Sequence, residues 1–337
     1  MKIATVTIYD ALNCGSYLQA YALQHVIEKM GHETVILDGR KYNFYKLLRK
    51  WVKRNDTLFH IRQLLKYKRD IKKLKICRDI NCHFDKAIIG SDEVWNIKGH
   101  FDHVPQFFGR DINADSIIAY APSIGFCSVE DFCKSSEAQE TKKFHMVFPR
   151  DSATHQACLK MLNQECPIVC DPTILFLDGW IDIVKDYPVP KEKYVLYYSY
   201  LDNTPMKENI IRYAHSRGLK VVCANFNYKW ADKIVLPSPL EFLNFVYHAE
   251  CVFTSTFHGS VFSTIFKKPL VVRPSGPKVV DYLQMVGLDS RIYKDGMEYE
   301  PFEKMVEQTI DYDQVYAVLE SLKDKSIALL SDAIMSK

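Results

Sequence analysis

No stretch of this 337-residue chain approaches the ~18 consecutive apolar residues that a membrane span requires. The opening "MKIATVTIYD" lacks the basic start and long apolar core of a secretory signal, so the expectation is a cytoplasmic protein. Ten cysteines are present without a single Cys-x-x-Cys pair. The nearest approach to a metal motif, "CRDINCH" with Cys77, Cys82 and His83, is spaced more widely than a zinc knuckle and has no second half. No metal is therefore expected, and the thiols read as reduced packing groups. Gly-x-Gly-x-x-Gly is also missing, which disfavours a dinucleotide and leaves no bound cofactor to expect. Charge is nearly balanced, with 44 Lys and Arg against 41 Asp and Glu, and a net +3 gives no reason to invoke nucleic acid.

What is there is the composition of an ordinary globular protein, 47% hydrophobic and 25% charged, long enough for two domains. Short β-rich runs alternate with helical patterns, the signature of parallel sheets with crossover helices. "KIATVTIY" reads as a strand, "NCGSYLQAYALQHVIEKMG" as a loop and helix closed by Gly31, and "ETVILDG" as the next strand. Lys86 to Gly90, Ser116 to Ala121 and His145 to Phe148 continue the series. At "DGWIDIVKDYPVPKEK" the pattern lapses into charge and proline, read as a linker. It restarts with "YVLYYSY", "KVVCANF", "CVFT" and "PLVVR", with helices from about Pro205, Pro239, Gly259 and Lys278. The expected organisation is α/β: Rossmann-like domains at 1–185 and 190–312 facing across a cleft, and a helix over 313–337 packing back on the first domain.

In open α/β sheets ligands gather at the carboxyl ends of strands. "CVFTSTFHGSVFSTIFKKP" puts Ser255, Thr256, His258, Gly259 and Ser260 at such a place, between a strand and a helix. Ser255 or Thr256 can cap the helix, Gly259 and Ser260 leave amide donors uncrowded, and the helix dipole favours an anion, most simply a phosphate. His258 adds a side chain able to contact phosphate or act as a general acid, against the plainer reading of a packed histidine beside a capped helix. "FHMVFPRD" ends another strand on Arg150, either a fork for an anion or a surface partner of Asp151. "IYDALNCGSYLQA" offers Asn13, Gly15 and Ser16, a polar loop suited to sugar hydroxyls or an anion. "IIGSDEVWN" offers Ser91, Asp92, Glu93, Trp95 and Asn96, a mixture suited to carbohydrate, unless it is an acidic helix cap with a packed tryptophan.

Six blocks in order, "NCGSYLQAYALQ", "GSDEVWN", "YAPSIG", "PRDSAT", "CDPTILF" and "TSTFHGSVFSTIFKKPLVV", resemble the polysaccharide pyruvyl transferase family over about three quarters of the chain. The resemblance implies a GT-B arrangement of two Rossmann-like domains. It also implies transfer of a pyruvyl group from phosphoenolpyruvate to two sugar hydroxyls, giving a cyclic ketal and phosphate. By position it makes His258 the donor-site histidine and Arg150 the donor-site arginine, with Ser255, Thr256, Gly259 and Ser260 lining the phosphate pocket. Some members read Arg-Leu-His-Gly where this chain has Thr256, Phe257, His258 and Gly259, so one donor-site cation is missing; Arg273 and Lys278 are the expected replacements. Asp92 is the expected base near an acceptor held by Asn13, Gly15, Ser16, Trp95 and Asn96. The acceptor is expected to be a lipid-linked oligosaccharide precursor of a bacterial surface glycan. Two rival readings share the pattern: a nucleotide-sugar glycosyltransferase of the same architecture, and a catalytically idle glycan-binding protein.

One segment departs from the even charge. From Lys41 to Arg78 there are fourteen Lys and Arg against Asp56 and Asp70, so it carries +12 and the remainder −9. Most such runs are solvated helical faces. The interleaved Phe44, Tyr45, Trp51, Phe59 and Tyr67 also suit peripheral contact with an anionic membrane at its inner face.

Overall fold

The computed structural model describes residues 1–40, 57–99, 104–162, 165–202 and 204–336. Its strands are β1 (Lys2–Val6), β2 (Glu33–Leu37), β3 (Ile76–Cys77), β4 (Phe84–Ile89), β5 (Ala114–Tyr120), β6 (Met146–Phe148), β7 (Tyr194–Tyr198), β8 (Lys220–Ala224), β9 (Lys233–Val235), β10 (Val252–Thr254) and β11 (Leu270–Val272). They form two all-parallel sheets, ordered β3-β2-β1-β4-β5-β6 and β11-β10-β7-β8-β9. Parallel strands covered on both faces are apolar throughout. The central β7, "YVLYY", is accordingly buried at every position, while the edge strand β9, "KIV", is not.

The chain divides into two compact units. Of the described residues, the first takes in 1–40, 71–176 and 321–336, and the second 57–70 and 177–320. Each has its own core: Ile8, Phe84, Ile89, Phe107 and Phe132 are among the buried residues of the first, and Val195, Ile210, Phe253, Val271 and Phe302 among those of the second. The first helix, Cys14–Lys29, starts where the Asn13 side chain accepts from the Gly15 amide at 2.9 Å. Gly31, at φ 85°, turns the chain into β2.

The expected return of the C-terminal helix is seen in Tyr312–Met335. Its later turns belong to the first unit, where Ser326 Oγ accepts from the Cys170 amide at 3.0 Å and the Ser336 carbonyl accepts from Lys86 Nζ at 2.6 Å. Two expectations change. The segment read as a linker contains a helix, Trp180–Lys185, whose Trp180 is fully buried against Phe262 within the second unit. The basic segment, expected as an insertion in the first domain, supplies helix Thr57–Ile71, and its residues 57–70 group with the second unit. There Asp70 Oδ2 accepts from the Leu240 amide at 2.9 Å, and Arg69 and Lys66 pair with Glu241. The 41–56 portion lies outside the described residues.

Candidate functional site

Both sheets reverse their strand order at one point, and loops from the adjoining strands open there at the carboxyl ends. In the first unit the reversal falls between β1 and β4; in the second it falls between β7 and β10.

In the first unit Thr7 Oγ1 donates to the Ser91 carbonyl at 2.9 Å, and Ser16 Oγ donates to Asp92 Oδ2 at 2.7 Å, joining the two loops. Gln19 Nε2 donates to Thr7 Oγ1, Ile8 O and Ser16 O and fixes the loop after β1. The loop after β4 is conformationally demanding: Gly90 has φ 115°, and a Cβ there would meet the Tyr120 carbonyl oxygen at 2.2 Å. Asp92 is left-handed at φ 76° and Ala121 at φ 54°, conformations that persist where the surroundings over-determine them. Asp92 Oδ1 accepts from the Glu93 amide at 2.9 Å, so the carboxylate is held at both oxygens at the mouth of the reversal point.

Arg150 lies behind this loop. It does not form the surface pair with Asp151 that the sequence allowed; Asp151 Oδ1 caps the next helix, Ser152–Leu162, by accepting from Thr154. Arg150 Nη1 instead donates to Asp171 Oδ2 at 2.6 Å, both side chains being buried, and lies 3.4 Å from Ser91 Oγ. Asp171 also accepts from Ser91 Oγ at 3.1 Å and from the Thr173 amide and hydroxyl. Burial pulls the Arg150 pKa down, but Asp171, with Asp92 and Asp151, outweighs it and holds the guanidinium above its usual value. Asp171 was not singled out from the sequence. The only local signal was "DPT", an acidic cap followed by proline at a helix start.

Among the proposed acceptor residues, Trp95 is corrected. Its indole is buried, donates to the Phe107 carbonyl at 3.0 Å and stacks on Phe132, so it is core and offers no face to a sugar. Asn96 turns its amide to Glu93 Oε2, Asn13 caps the first helix, and Gly15 is buried in that helix's first turn. A second cluster escaped the sequence reading altogether. Tyr9 donates to Asp38 at 2.5 Å, and Arg40 bridges Asp38 and Asp10. Burial and then Asp38 push the Tyr9 phenol up; Asp38 stays below the usual carboxylate range, since Arg40 and Tyr9 overcome its burial.

In the second unit the reversal point is clamped by hydroxyls. Ser199 Oγ donates to Ser255 Oγ at 2.8 Å, the Tyr200 amide donates to the same oxygen, and Thr254 Oγ1 donates to the Tyr198 carbonyl at 2.6 Å. Thr256 caps helix Phe257–Ile265 by accepting from the Gly259 amide at 2.9 Å. Ser260 Oγ returns to the Thr256 carbonyl. Ser255 and Ser260 are fully buried, so their side chains shape the site from beneath and do not line it, as the phosphate-pocket reading had them do. His258, 7% exposed, sits in the first turn of that helix with its ring edge-on to Phe257. Arg273 gives its fork to Asp295 at 2.7 and 2.8 Å, a pairing that, against its burial, raises its pKa. Lys278 is half-buried at the start of helix Pro277–Met285.

A Cβ at Gly259 would lie 2.2 Å from Thr254 Oγ1 and 2.6 Å from Thr256 Oγ1. Gly259→Ala is therefore expected to displace the cap and cost about 2–4 kcal/mol through overpacking and cap loss. Calorimetry checks this; a variant with the wild-type melting temperature would show that the contact relaxes freely.

No group of three His, Cys, Asp or Glu side chains is placed to hold a metal among the described residues. In the segment considered for zinc, the Cys77 and Cys82 sulfurs lie 3.5 Å apart while His83 pairs with Asp115. No helix among the described residues is long and apolar enough to cross a membrane.

Two Rossmann-like domains, each with a parallel sheet and loops opening at its reversal point, make up a GT-B-like fold. The fold is similar to that of the UDP-GlcNAc 2-epimerase from Neisseria meningitidis bound to UDP-GlcNAc, with TM-score 0.57, 10% identity and 100% of each chain covered. It is similar also to the UDP-GlcNAc 2-epimerase from Methanocaldococcus jannaschii, with TM-score 0.55, 11% identity, and 98% of this chain and 99% of that one covered. No curated protein matches the sequence. The chain belongs to the polysaccharide pyruvyl transferase family, whose family model matches residues 13–275.

Proposed function

We propose that the protein transfers a pyruvyl group from phosphoenolpyruvate to two hydroxyls of one sugar in a surface-glycan precursor, forming a cyclic ketal and releasing phosphate. Family membership across residues 13–275 is the observation that carries this reading. The setting of His258 agrees with it: a first-turn histidine at a helix N-terminus, at the carboxyl end of β10, suits the phosphate of the donor. His258 protonates the methylene carbon of the enol phosphate or stabilises the departing phosphate. The resulting oxocarbenium-like centre is attacked by one hydroxyl; loss of phosphate and attack by the second then close the ring. Asp92, held by Ser16, accepts a proton from the acceptor. Arg273 and Lys278 supply donor-site charge in place of the arginine absent at Thr256; Arg150, which the resemblance makes the donor-site arginine, is buried against Asp171 and is assigned a positioning role instead, acting through Ser91 and Asp171 on the loop that carries Asp92. The acceptor is lipid-linked, and neither metal nor cofactor takes part.

The test is incubation with phosphoenolpyruvate and a panel of lipid-linked and soluble glycan precursors, reading free phosphate and the pyruvyl mass gain. Phosphate release that requires an acceptor and persists in EDTA is expected. Sugar transfer from a nucleotide-sugar with phosphoenolpyruvate inert would establish the glycosyltransferase instead. Acceptor binding with neither binding nor turnover of phosphoenolpyruvate would leave a glycan-binding protein.

A further inference from the structure

Helix Thr57–Ile71 departs from the usual surface helix, which buries its apolar stripe, in leaving two leucines on its outer side. Its buried residues are Gln63, Tyr67 and Asp70, and two of these are polar groups bonded inward, Gln63 to the Asn225 carbonyl and Asp70 to the Leu240 amide. Leu58 and Leu65, seven residues apart and thus on one stripe, are 61% and 63% exposed. Arg62 lies between them on the same side, Lys68 follows, and Lys72 and Lys73 continue past the helix end, all exposed. Among the described residues none of these four cations has an ion pair, unlike Lys66 and Arg69, which are committed to Glu241. The helix's one carboxylate, Asp70, faces inward. Lys66 also borders a cavity of about 890 Å³ whose wall includes Leu236, Phe245 and Val189, the last 69% exposed, so apolar surface continues beside the helix.

Isolated surface leucines need no explanation. Two on one stripe, bracketed by four cations that have no ion pair among the described residues, do. We propose that this face docks on a bilayer of anionic phospholipid, with Leu58 and Leu65 entering the boundary between headgroups and acyl chains and Arg62, Lys68, Lys72 and Lys73 meeting phosphates. Charge complementarity selects the occupant: a nucleic acid would satisfy the cations but leave the leucines in water.

The full chain is centrifuged with vesicles of equal parts phosphatidylglycerol and phosphatidylcholine, and with phosphatidylcholine alone. Sedimentation with the first at low salt, none with the second, and release near ~0.5 M salt, where screening shortens to a few ångströms, are expected. Reversing the four cations (R62E, K68E, K72E, K73E) weakens binding by ~100-fold or more. Leu58→Ser with Leu65→Ser weakens it by about tenfold with charge unchanged. Circular dichroism confirms that both variants fold. Failure of the wild type to sediment, variants that bind as it does, or tighter binding to duplex DNA than to vesicles would each overturn the proposal. The assay contains neither donor nor acceptor, so its outcome stands apart from that of the proposed reaction.

Discussion

His258→Ala and His258→Gln are each expected to fold normally and to lose ~10²- to 10⁴-fold of the pyruvyl transfer rate, the range typical of a general acid. The glutamine variant is the sharper of the two. It keeps the volume of a side chain that is 7% exposed and retains an N–H donor for phosphate, but it cannot deliver a proton. If the imidazole acts as the acid, both variants fall alike in kcat. If it only holds phosphate, glutamine recovers much of the loss and the effect moves to KM. A loss below about tenfold in both variants removes His258 from the chemistry.

Asp171→Ala is expected to destabilise the first unit by ~3–5 kcal/mol, because it leaves the Arg150 guanidinium buried without its carboxylate. The double variant Arg150→Met with Asp171→Leu removes both charges together but leaves the Ser91 and Thr173 donors without their acceptor, so urea unfolding should show only part of that stability regained. Activity should not return with it. Ser91 and the left-handed Asp92 beside it are set by the pair through the Ser91 hydroxyl, and a merely structural salt bridge would restore both properties together. A single variant costing under ~1 kcal/mol, or a stable double variant with full turnover, would contradict the positioning role.

Sequence periodicity and turn residues revealed nine of the strands, because each has enough apolar positions to declare itself. The two that escaped, Ile76–Cys77 and Lys233–Val235, are edge strands of two and three residues, too short to show alternation. Three of the six family blocks, those beginning at Asn13, Gly90 and Thr254, fall on loops at the two reversal points, so there the sequence singles out the same stretches as the topology. It could not say which side chains face inward. Trp95 looked like a sugar platform because indole serves both purposes, and only its bond to Phe107 decides. Asp171 and Arg150 are 21 residues apart and Asp70 and Leu240 are 170 apart, so no local window holds both members of either pair. The basic run hid its attachment to the second unit for the same reason: Gln63 and Asp70 on its inner face are polar, and polarity reads as solvent until a partner is found.

The chain's path has a consequence for synthesis. Residues 177–320, the bulk of the second unit, must leave the ribosome before 321–336 can supply Ser326 to Cys170 and the Ser336 carbonyl to Lys86 in the first. The first sheet can pair its strands early, but its closing helix arrives last, at a sequence separation of 250 residues in the case of Lys86 and Ser336. Such long-range closure is slow, and until it happens surface that the closing helix will cover remains open to chaperones and to neighbouring nascent chains.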